Sequence, residues 1–232
     1  MSAKLRIFNK VFNNILQRNA RFLYFTRGVE FQKKAILELK TLLKRTLTLK
    51  KAMIIKRDEK LANTLLSLEN LLTAYINELQ MYVFLKEDNM SRAWAAFVDA
   101  QSALRSAFQA DDIILKYGGE SYLNKLELIE KVFFPHMTFN SIETKIQSSK
   151  CSICGSEYGT CDHVIGRPYM GQICNRIVTK MEYVGLAILI EKCPASKHCR
   201  ITQMSDDDGN MRDALTWRIV SPIPKNDVQA KV

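Results

Sequence analysis

Residues 61–82 of the 232-residue chain read LANTLLSLENLLTAYINELQMY. Apolar side chains recur here at alternating steps of four and three residues, the spacing that keeps one face of an α-helix apolar. The residues of this seam are Leu61, Leu65, Leu68, Leu72, Tyr75, Leu79 and Tyr82. A seam of three heptads suits a coiled coil between two chains or helix packing within one bundle. We favour the bundle.

Helical patterns continue on both sides of this seam. Residues 3–57 are predicted to be helical, with a break near residues 26–28. A third helix follows the polar joint at residues 86–89, and a further helix ends at Tyr117 before two glycines. A final helix is expected from Ser121 until Pro135 stops it. The sequence thus predicts a mainly α protein with a multi-helix bundle of long, coiled-coil-like helices over residues 1–135.

The last third of the chain has a different character. A Ser- and Thr-rich linker is predicted over residues 136–150, followed by a small α+β module over 151–222 and a flexible tail over 223–232. Strands are expected at residues 183–191, 199–205 and 211–220, with a hairpin turn at Asp206-Asp207-Asp208-Gly209-Asn210 between the last two. His136 is interpreted as a capping or packing histidine.

Soft metal ligands cluster within the module. Four of the six cysteines and one histidine form the pattern C-x2-C-x6-C-x-H-x10-C, from Cys151, Cys154, Cys161 and His163 to Cys174. Five donors for a tetrahedral ion predict a structural zinc, since a saturated site leaves no position for water or substrate. Cys151, Cys154 and Cys174 are the preferred ligands, and Cys161 and His163 compete for the fourth place. A redox-active C-x-x-C is the disfavoured alternative.

A second metal half-site is the alternative interpretation of Cys193, His198 and Cys199. We favour the simpler one, in which both cysteines are small buried apolar residues at strand ends. Nucleophile elbows, P-loops and Rossmann glycine patterns are missing from the sequence. This favours a protein that is not an enzyme.

Positive charge is concentrated in the first quarter of the chain. Residues 1–60 hold 16 Lys and Arg against 4 Asp and Glu, whereas residues 61–145 carry a net negative charge. Such a helix face can neutralise nucleic-acid phosphates, or it can be a solvated surface facing the acidic segment. The candidate nucleic-acid-binding residues are Lys33, Lys34, Lys40, Lys44, Arg45, Lys50, Lys51, Lys56 and Arg57. No membrane span or signal peptide is apparent, so a cytoplasmic location is expected.

The sequence around the cysteines resembles a family of uncharacterised bacterial proteins. The resemblance rests on EKVFFPHMTFN from Glu130, CSICGSEYGTCDHVIGRPYMGQIC from Cys151, and CPASKHCRI from Cys193, within residues 90–204. It implies a prokaryotic origin and a metal-stabilised module with ligands at Cys151, Cys154, Cys161, His163 and Cys174. It implies no particular activity.

Three functions follow from these patterns. The leading hypothesis is a non-enzymatic binding or adaptor protein with structural Zn²⁺ and a helical surface for a protein partner or self-association. The second is a DNA- or RNA-binding subunit of a bacterial defence or mobile-element complex that uses residues 1–60. The third is a zinc-dependent hydrolase with an open metal position.

Overall fold

The computed structural model describes residues 3–135, 137–140, 143–185, 194 and 196–221. The helices are α1 (Ala3–Ala20), α2 (Val29–Ile55), α3 (Glu59–Lys86), α4 (Met90–Ala110), α5 (Ile113–Lys116) and α6 (Gly119–Phe133). The strands are β1 (Glu143–Cys151), β2 (Pro168–Tyr169), β3 (Gln172–Ile173), β4 (Arg176–Gly185), β5 (Gln203–Ser205), β6 (Met211–Asp213) and β7 (Ile219–Ser221). The predicted fold class is confirmed.

Helix α3 is the centre of the bundle because its predicted seam packs against α2 and α4. Leu72 and Leu79 are fully buried, and Leu65 and Tyr82 are almost so. Burial of the seam within one chain confirms the intramolecular bundle over the two-chain coiled coil. Burying a side chain of this size contributes about 1.5–3 kcal/mol, so the seam is a main source of stability.

The helix boundaries follow from local capping. Asp58 accepts a hydrogen bond from the Leu61 N–H and begins α3, and Asn89 does the same for the Arg92 N–H at α4. The break predicted near residues 26–28 is confirmed, and it is longer than expected, from residue 21 to 28.

Two adjacent glycines shape the connection between α5 and α6. Gly118 adopts the left-handed conformation with φ 72°, and α6 begins at Gly119, two residues before the predicted start. A Cβ on Gly119 would lie 2.7 Å from Ile114 Cγ1 and 2.9 Å from Phe108 Cζ. The close approach of these elements therefore requires glycine at position 119.

The predicted linker contains a strand that the sequence did not indicate, since residues 143–150 form most of β1. β1 pairs antiparallel with β4 along a long two-stranded ribbon, with Cys151 opposite Arg176. Its polar Ser, Thr and Lys residues suggested a loop because the ribbon buries little of either face. The strand predicted at 183–191 overlaps β4 only at residues 183–185, and residues 186–191 lie outside the described part of the chain.

The third sheet has the order β5-β6-β7. The hairpin turn predicted at residues 206–210 is confirmed by the antiparallel pairing of β5 with β6. Asp206 holds this turn, since its carboxylate accepts from the Asn210 N–H at 2.7 Å. The predicted strand at 211–220 is interrupted, because residues 214–218 turn between β6 and β7. The predicted roles of His136 and Cys193 and the tail at 223–232 lie outside the described residues.

The C-terminal part of the chain contacts the helical bundle directly. Trp94 Nε1 of α4 donates to the Lys197 carbonyl at 3.0 Å. The Lys197 ammonium lies 2.6 Å from the Glu130 carboxylate of α6. Phe139 is buried in the same core as Trp94. The division into a bundle (1–135) and a module (151–222) stays a prediction. None of the described helices is long and apolar enough to cross a membrane.

Candidate metal centre

The end of β1 forms a tight turn that brings two thiols together. The Gly155 N–H donates to the Cys151 carbonyl at 2.9 Å, and the Cys151 N–H donates to the Ser156 carbonyl at 2.9 Å. Gly155 has φ 74°, a conformation that residues with a Cβ rarely adopt. This turn places Cys154 beside Cys151, as in a zinc knuckle.

The next loop adds two further donors. The ligand atoms of Cys151, Cys154, Cys161 and His163 all lie within 4.8 Å of one another, which meets the requirement for a shared ion. His163 Nδ1 is buried and has no hydrogen-bond partner. A buried ring nitrogen without a partner is costly unless it binds a metal or a proton donor, so the site fits a cation. The Tyr169 ring contacts the His163 ring edge-on, with centroids 4.7 Å apart.

A fourth thiol, that of Cys174, contacts the cluster at Cys151. Its Sγ lies 3.8 Å from Cys151 Sγ, and both residues are buried. Zn–S bonds of about 2.3 Å in a tetrahedron give a sulfur–sulfur separation of roughly 3.8 Å. The Asn175 carbonyl accepts from the Ser152 N–H at 3.0 Å, which fixes the start of β4 beside the knuckle. Cys174 therefore reaches the cluster through Cys151, whereas the four ligand atoms that all lie within 4.8 Å of one another belong to Cys151, Cys154, Cys161 and His163.

Hydrogen bonds prepare the first thiol for ionisation. The backbone N–H of Cys154, followed by that of Ile153, lowers the pKa of the Cys151 thiol to about 7. Burial raises the pKa of Cys174. A metal binds the thiolate form, so Cys151 is the thiol most easily recruited near neutral pH.

The β2–β3 hairpin contacts the helical bundle close to the Cys/His cluster. The Gly171 N–H, between β2 and β3, donates to Asn63 Oδ1 of α3 at 2.7 Å. The Gly171 carbonyl accepts from Lys50 Nζ of α2 at 3.2 Å. A Cβ at Gly171 would lie 3.2 Å from Ile54 Cδ1. Only two residues separate this contact from Cys174, so the cluster is fixed relative to the helices.

The proposed second half-site does not join the cluster through its described residues. His198 Nε2 lies 3.2 Å from Asp99 Oδ1, and Cys199 is exposed. The expectation that Cys199 is buried was therefore wrong, because the residue lies in an exposed turn rather than in a strand.

Most of the basic candidates lie on the surface of α2. Lys34, Lys40, Lys44, Arg45, Lys51, Lys56 and Arg57 are exposed, and Lys33 forms a 3.1 Å ion pair with Glu87. Lys50 differs from the rest, since its ammonium lies 2.5 Å from Glu69 and its side chain is only 12% exposed. Its ammonium group therefore contacts Glu69 and the Gly171 carbonyl of the docked hairpin and does not contribute to the exposed basic surface.

No protein-family model, curated protein or solved structure matches this chain. The resemblance to a bacterial family therefore stays a prediction. Asn63 and Gly171, which position the hairpin beside the Cys/His cluster, were not predicted from the sequence. A single glycine between Tyr169-Met170 and Gln172-Ile173 was a detectable signal for a tight turn at 171, whereas nothing local marks Asn63.

Proposed function

We propose that this protein is a non-enzymatic binding protein whose C-terminal module is held by a structural zinc ion. The single observation that carries the proposal is that three thiols and a ring nitrogen of His163 lie within 4.8 Å of one another, while the buried Nδ1 of His163 has no hydrogen-bond partner. We assign Cys151, Cys154 and Cys161 as shared ligands and either His163 or Cys174 as the fourth, since Cys174 Sγ lies 3.8 Å from Cys151 Sγ.

Saturation of the metal distinguishes this proposal from a hydrolase. A catalytic zinc keeps one position for water, whereas four protein donors around a tetrahedral ion leave none. The ion would instead fix the base of the β1–β4 ribbon, because Cys151 ends β1 and Cys174 lies two residues before β4. An isolated two-stranded ribbon is marginally stable in water, so it benefits from such a fixed base.

Anion titration of the Co²⁺-substituted protein tests this function. Cobalt in a closed tetrahedral site keeps its visible absorption spectrum when azide or cyanide is added below the concentration that extracts the metal. A hydrolase site exchanges its water for the anion and changes that spectrum. Anion-dependent bands on a metal that stays bound would overturn the structural assignment and favour the hydrolase.

A second function, nucleic-acid binding by α2, is favoured by a specific arrangement. Lys40, Lys44 and Lys51 lie at steps of four and seven residues, so they share one exposed helix face. Within the described residues none of the three forms an ion pair. We propose that this face binds phosphates of DNA or RNA without reading bases.

Salt dependence tests the second function. Replacing Lys40, Lys44 and Lys51 with Gln is expected to weaken binding to duplex DNA or RNA and to lower the salt slope by about one per lost phosphate contact. The matched control is K116Q/K131Q/K145Q, which removes three exposed lysines of α5, α6 and β1. An unchanged affinity and slope in the triple variant would contradict a phosphate-binding role for this face.

A further inference from the structure

A groove of about 760 Å³ lies between the end of α1 and the first turns of α2. Its walls carry four cationic side chains, Arg18, Arg21, Arg27 and Lys34. Arg18 is engaged with Glu38 at 3.0 Å, and the buried Asn19 donates to the same carboxylate oxygen. Within the described chain, the other three cations form no ion pair. The groove thus retains a net positive charge.

The turn at residues 21–28, which carries Arg21 and Arg27, is held by hydrogen bonds from buried and partly buried side chains. Gln32 is fully buried and donates to the carbonyls of Phe22 and Tyr24. Lys86 of α3 donates to Gln32 Oε1 and to the Arg27 carbonyl. A turn held at three of its carbonyl groups loses little conformational freedom on binding, so the groove is preorganised.

A flat aromatic surface stands beside the cations. Phe31 is 61% exposed, and its ring lies parallel to that of Phe22 with centroids 6.0 Å apart. A Cβ on Gly28 would lie 3.3 Å from the Phe31 ring. Because glycine has no Cβ, the ring can pack closely against the turn. Arg21 covers the Phe22 ring at 4.8 Å. An exposed, supported ring next to cations that form no ion pair with the described residues suits a planar ligand that carries negative charge.

The first turn of α2 adds a further attraction for anions. Gly28 is the N-cap of this 27-residue helix, and no side chain caps it. The N–H groups and the dipole at a helix N-terminus favour a phosphate. Gly28 lines the same groove as the cations, so the two attractions act on one ligand.

We propose that this groove binds a nucleotide, with its phosphates on Arg21, Arg27 and Lys34 and its base stacked on Phe31. The volume is in the range of small-molecule sites. The nucleotide can be free in solution or the end of a single strand, since both present the same chemistry. The site uses different residues from the Lys40, Lys44 and Lys51 face, so either proposal can fail alone.

Equilibrium binding to the full-length protein with three probes tests the site. The probes are ATP, inorganic tripolyphosphate and a fluorescent octauridylate, measured at 50 mM and 200 mM salt. The variants are R21Q/R27Q, which removes charge, and Phe31→Leu, which keeps apolar volume but removes the ring face. The controls are Leu37→Ala, an exposed apolar residue of α2 outside the groove, and K40Q/K44Q/K51Q.

The site predicts that ATP or the octamer binds more tightly than tripolyphosphate, and the stronger of the two identifies the source. R21Q/R27Q is expected to weaken binding about tenfold or more. Phe31→Leu is expected to weaken nucleotide binding about fivefold or more while leaving tripolyphosphate unchanged. The controls should leave ATP binding within about twofold.

Three results would overturn the proposal. They are no binding of ATP or octamer, equal binding of tripolyphosphate and nucleotide, or nucleotide binding that survives both groove variants. Thermal denaturation of each variant shows whether it is folded. If R21Q/R27Q is unfolded, Lys34→Gln replaces it, because this exposed side chain has no ion pair within the described chain.

Discussion

The Gly171 N–H donates a 2.7 Å hydrogen bond to Asn63 Oδ1, and this contact joins the β2–β3 hairpin beside the Cys/His cluster to helix α3. The two residues are 108 positions apart in the chain. Lys50 completes the contact by donating to the Gly171 carbonyl while it pairs with Glu69. Both hydrogen bonds involve the backbone of Gly171 and partly buried polar side chains. Such bonds form in only one relative position of the hairpin and the helices, so they define the docking geometry.

Replacing Gly171 with Ala should loosen this docking. Its φ of 78° strains any residue with a Cβ, and the new methyl group would meet Ile54 at 3.2 Å. The expected loss in the free energy of unfolding is about 1–3 kcal/mol for strain, with a further cost for the crowded contact. Chemical denaturation measures it. Gly159→Ala is the matched control, because it has φ 95° but no neighbour within 4 Å. An equal loss in both variants would show that the docking contact contributes nothing.

The connection between α5 and α6 offers a similar comparison. In Gly119→Ala, the Cβ would meet Ile114 and Phe108 below 3.0 Å, so overpacking should cost about 1–3 kcal/mol. Gly118→Ala places a Cβ in open space, and its cost should come from the left-handed backbone alone, about 1–2 kcal/mol. Thermal denaturation of both variants measures the difference. Gly119→Ala should shift the side-chain resonances of Phe108, whereas Gly118→Ala should leave them in place, and unchanged Phe108 resonances in Gly119→Ala would contradict the close contact.

A buried carboxyl group gives the bundle a pH dependence. Burial raises the pKa of Glu78, against the opposing effect of Lys125, whose ammonium lies 2.5 Å from Oε1. Because the folded pKa lies above the unfolded value, the stabilising contribution is full below the unfolded pKa near 4.5. It is lost as the pH rises through the folded pKa. Wild-type protein should therefore lose stability relative to Glu78→Gln as the pH rises from about 4.5.

Urea denaturation of both proteins between pH 4.5 and 8 measures this effect. The difference between them isolates Glu78, since the metal site titrates equally in both. A difference that is constant with pH, or that changes in favour of the wild type as the pH rises, would contradict the raised pKa.

Metal removal should unfold one region and spare another. The backbone hydrogen bonds of Cys151, Ser152, Gly155 and Cys174 surround the cluster, whereas α3 is buried between α2 and α4. Amide hydrogen exchange after chelation is expected to accelerate across residues 151–175 and to stay slow in α3. Addition of Zn²⁺ should restore protection. Uniform acceleration would mean that the bundle also depends on the ion, and no change would mean that the metal does not hold the module.

The helical part of the fold could be predicted because helical periodicity and helix-ending residues are visible in short stretches of sequence. The seam from Leu61 to Tyr82 predicted both the helix and its buried face, and Pro135 marked the end of α6 within two residues. Similarly, the spacing of the cysteines predicted a cluster whose members the structure brings together. The start of α6 was missed by two residues because Gly119 packs at close range, which depends on Ile114 and Phe108 rather than on propensity.

The β1–β4 ribbon and the contact between the hairpin and the helices could not be predicted from the sequence. β1 reads as a polar linker because its strand pairing with β4 is set by residues about 30 positions apart and buries few side chains. Lys50 resembled its exposed neighbours, yet its partners Glu69 and Gly171 lie in other elements. These features arise from tertiary contacts, which a single sequence does not encode in any local period.

The central claim is that one zinc ion is held in a closed site by Cys151, Cys154 and Cys161, with His163 or Cys174 as the fourth ligand. Metal analysis and Co²⁺ absorption spectra of ligand variants test it most directly. We predict about one metal per chain with tetrahedral thiolate bands in the wild type and in His163→Ala and Cys174→Ser separately, because the remaining donor completes the set. The double variant and Cys151→Ser should lose the tetrahedral site. Metal-free wild-type protein, or a Cys151→Ser variant that keeps the full spectrum, would contradict the claim.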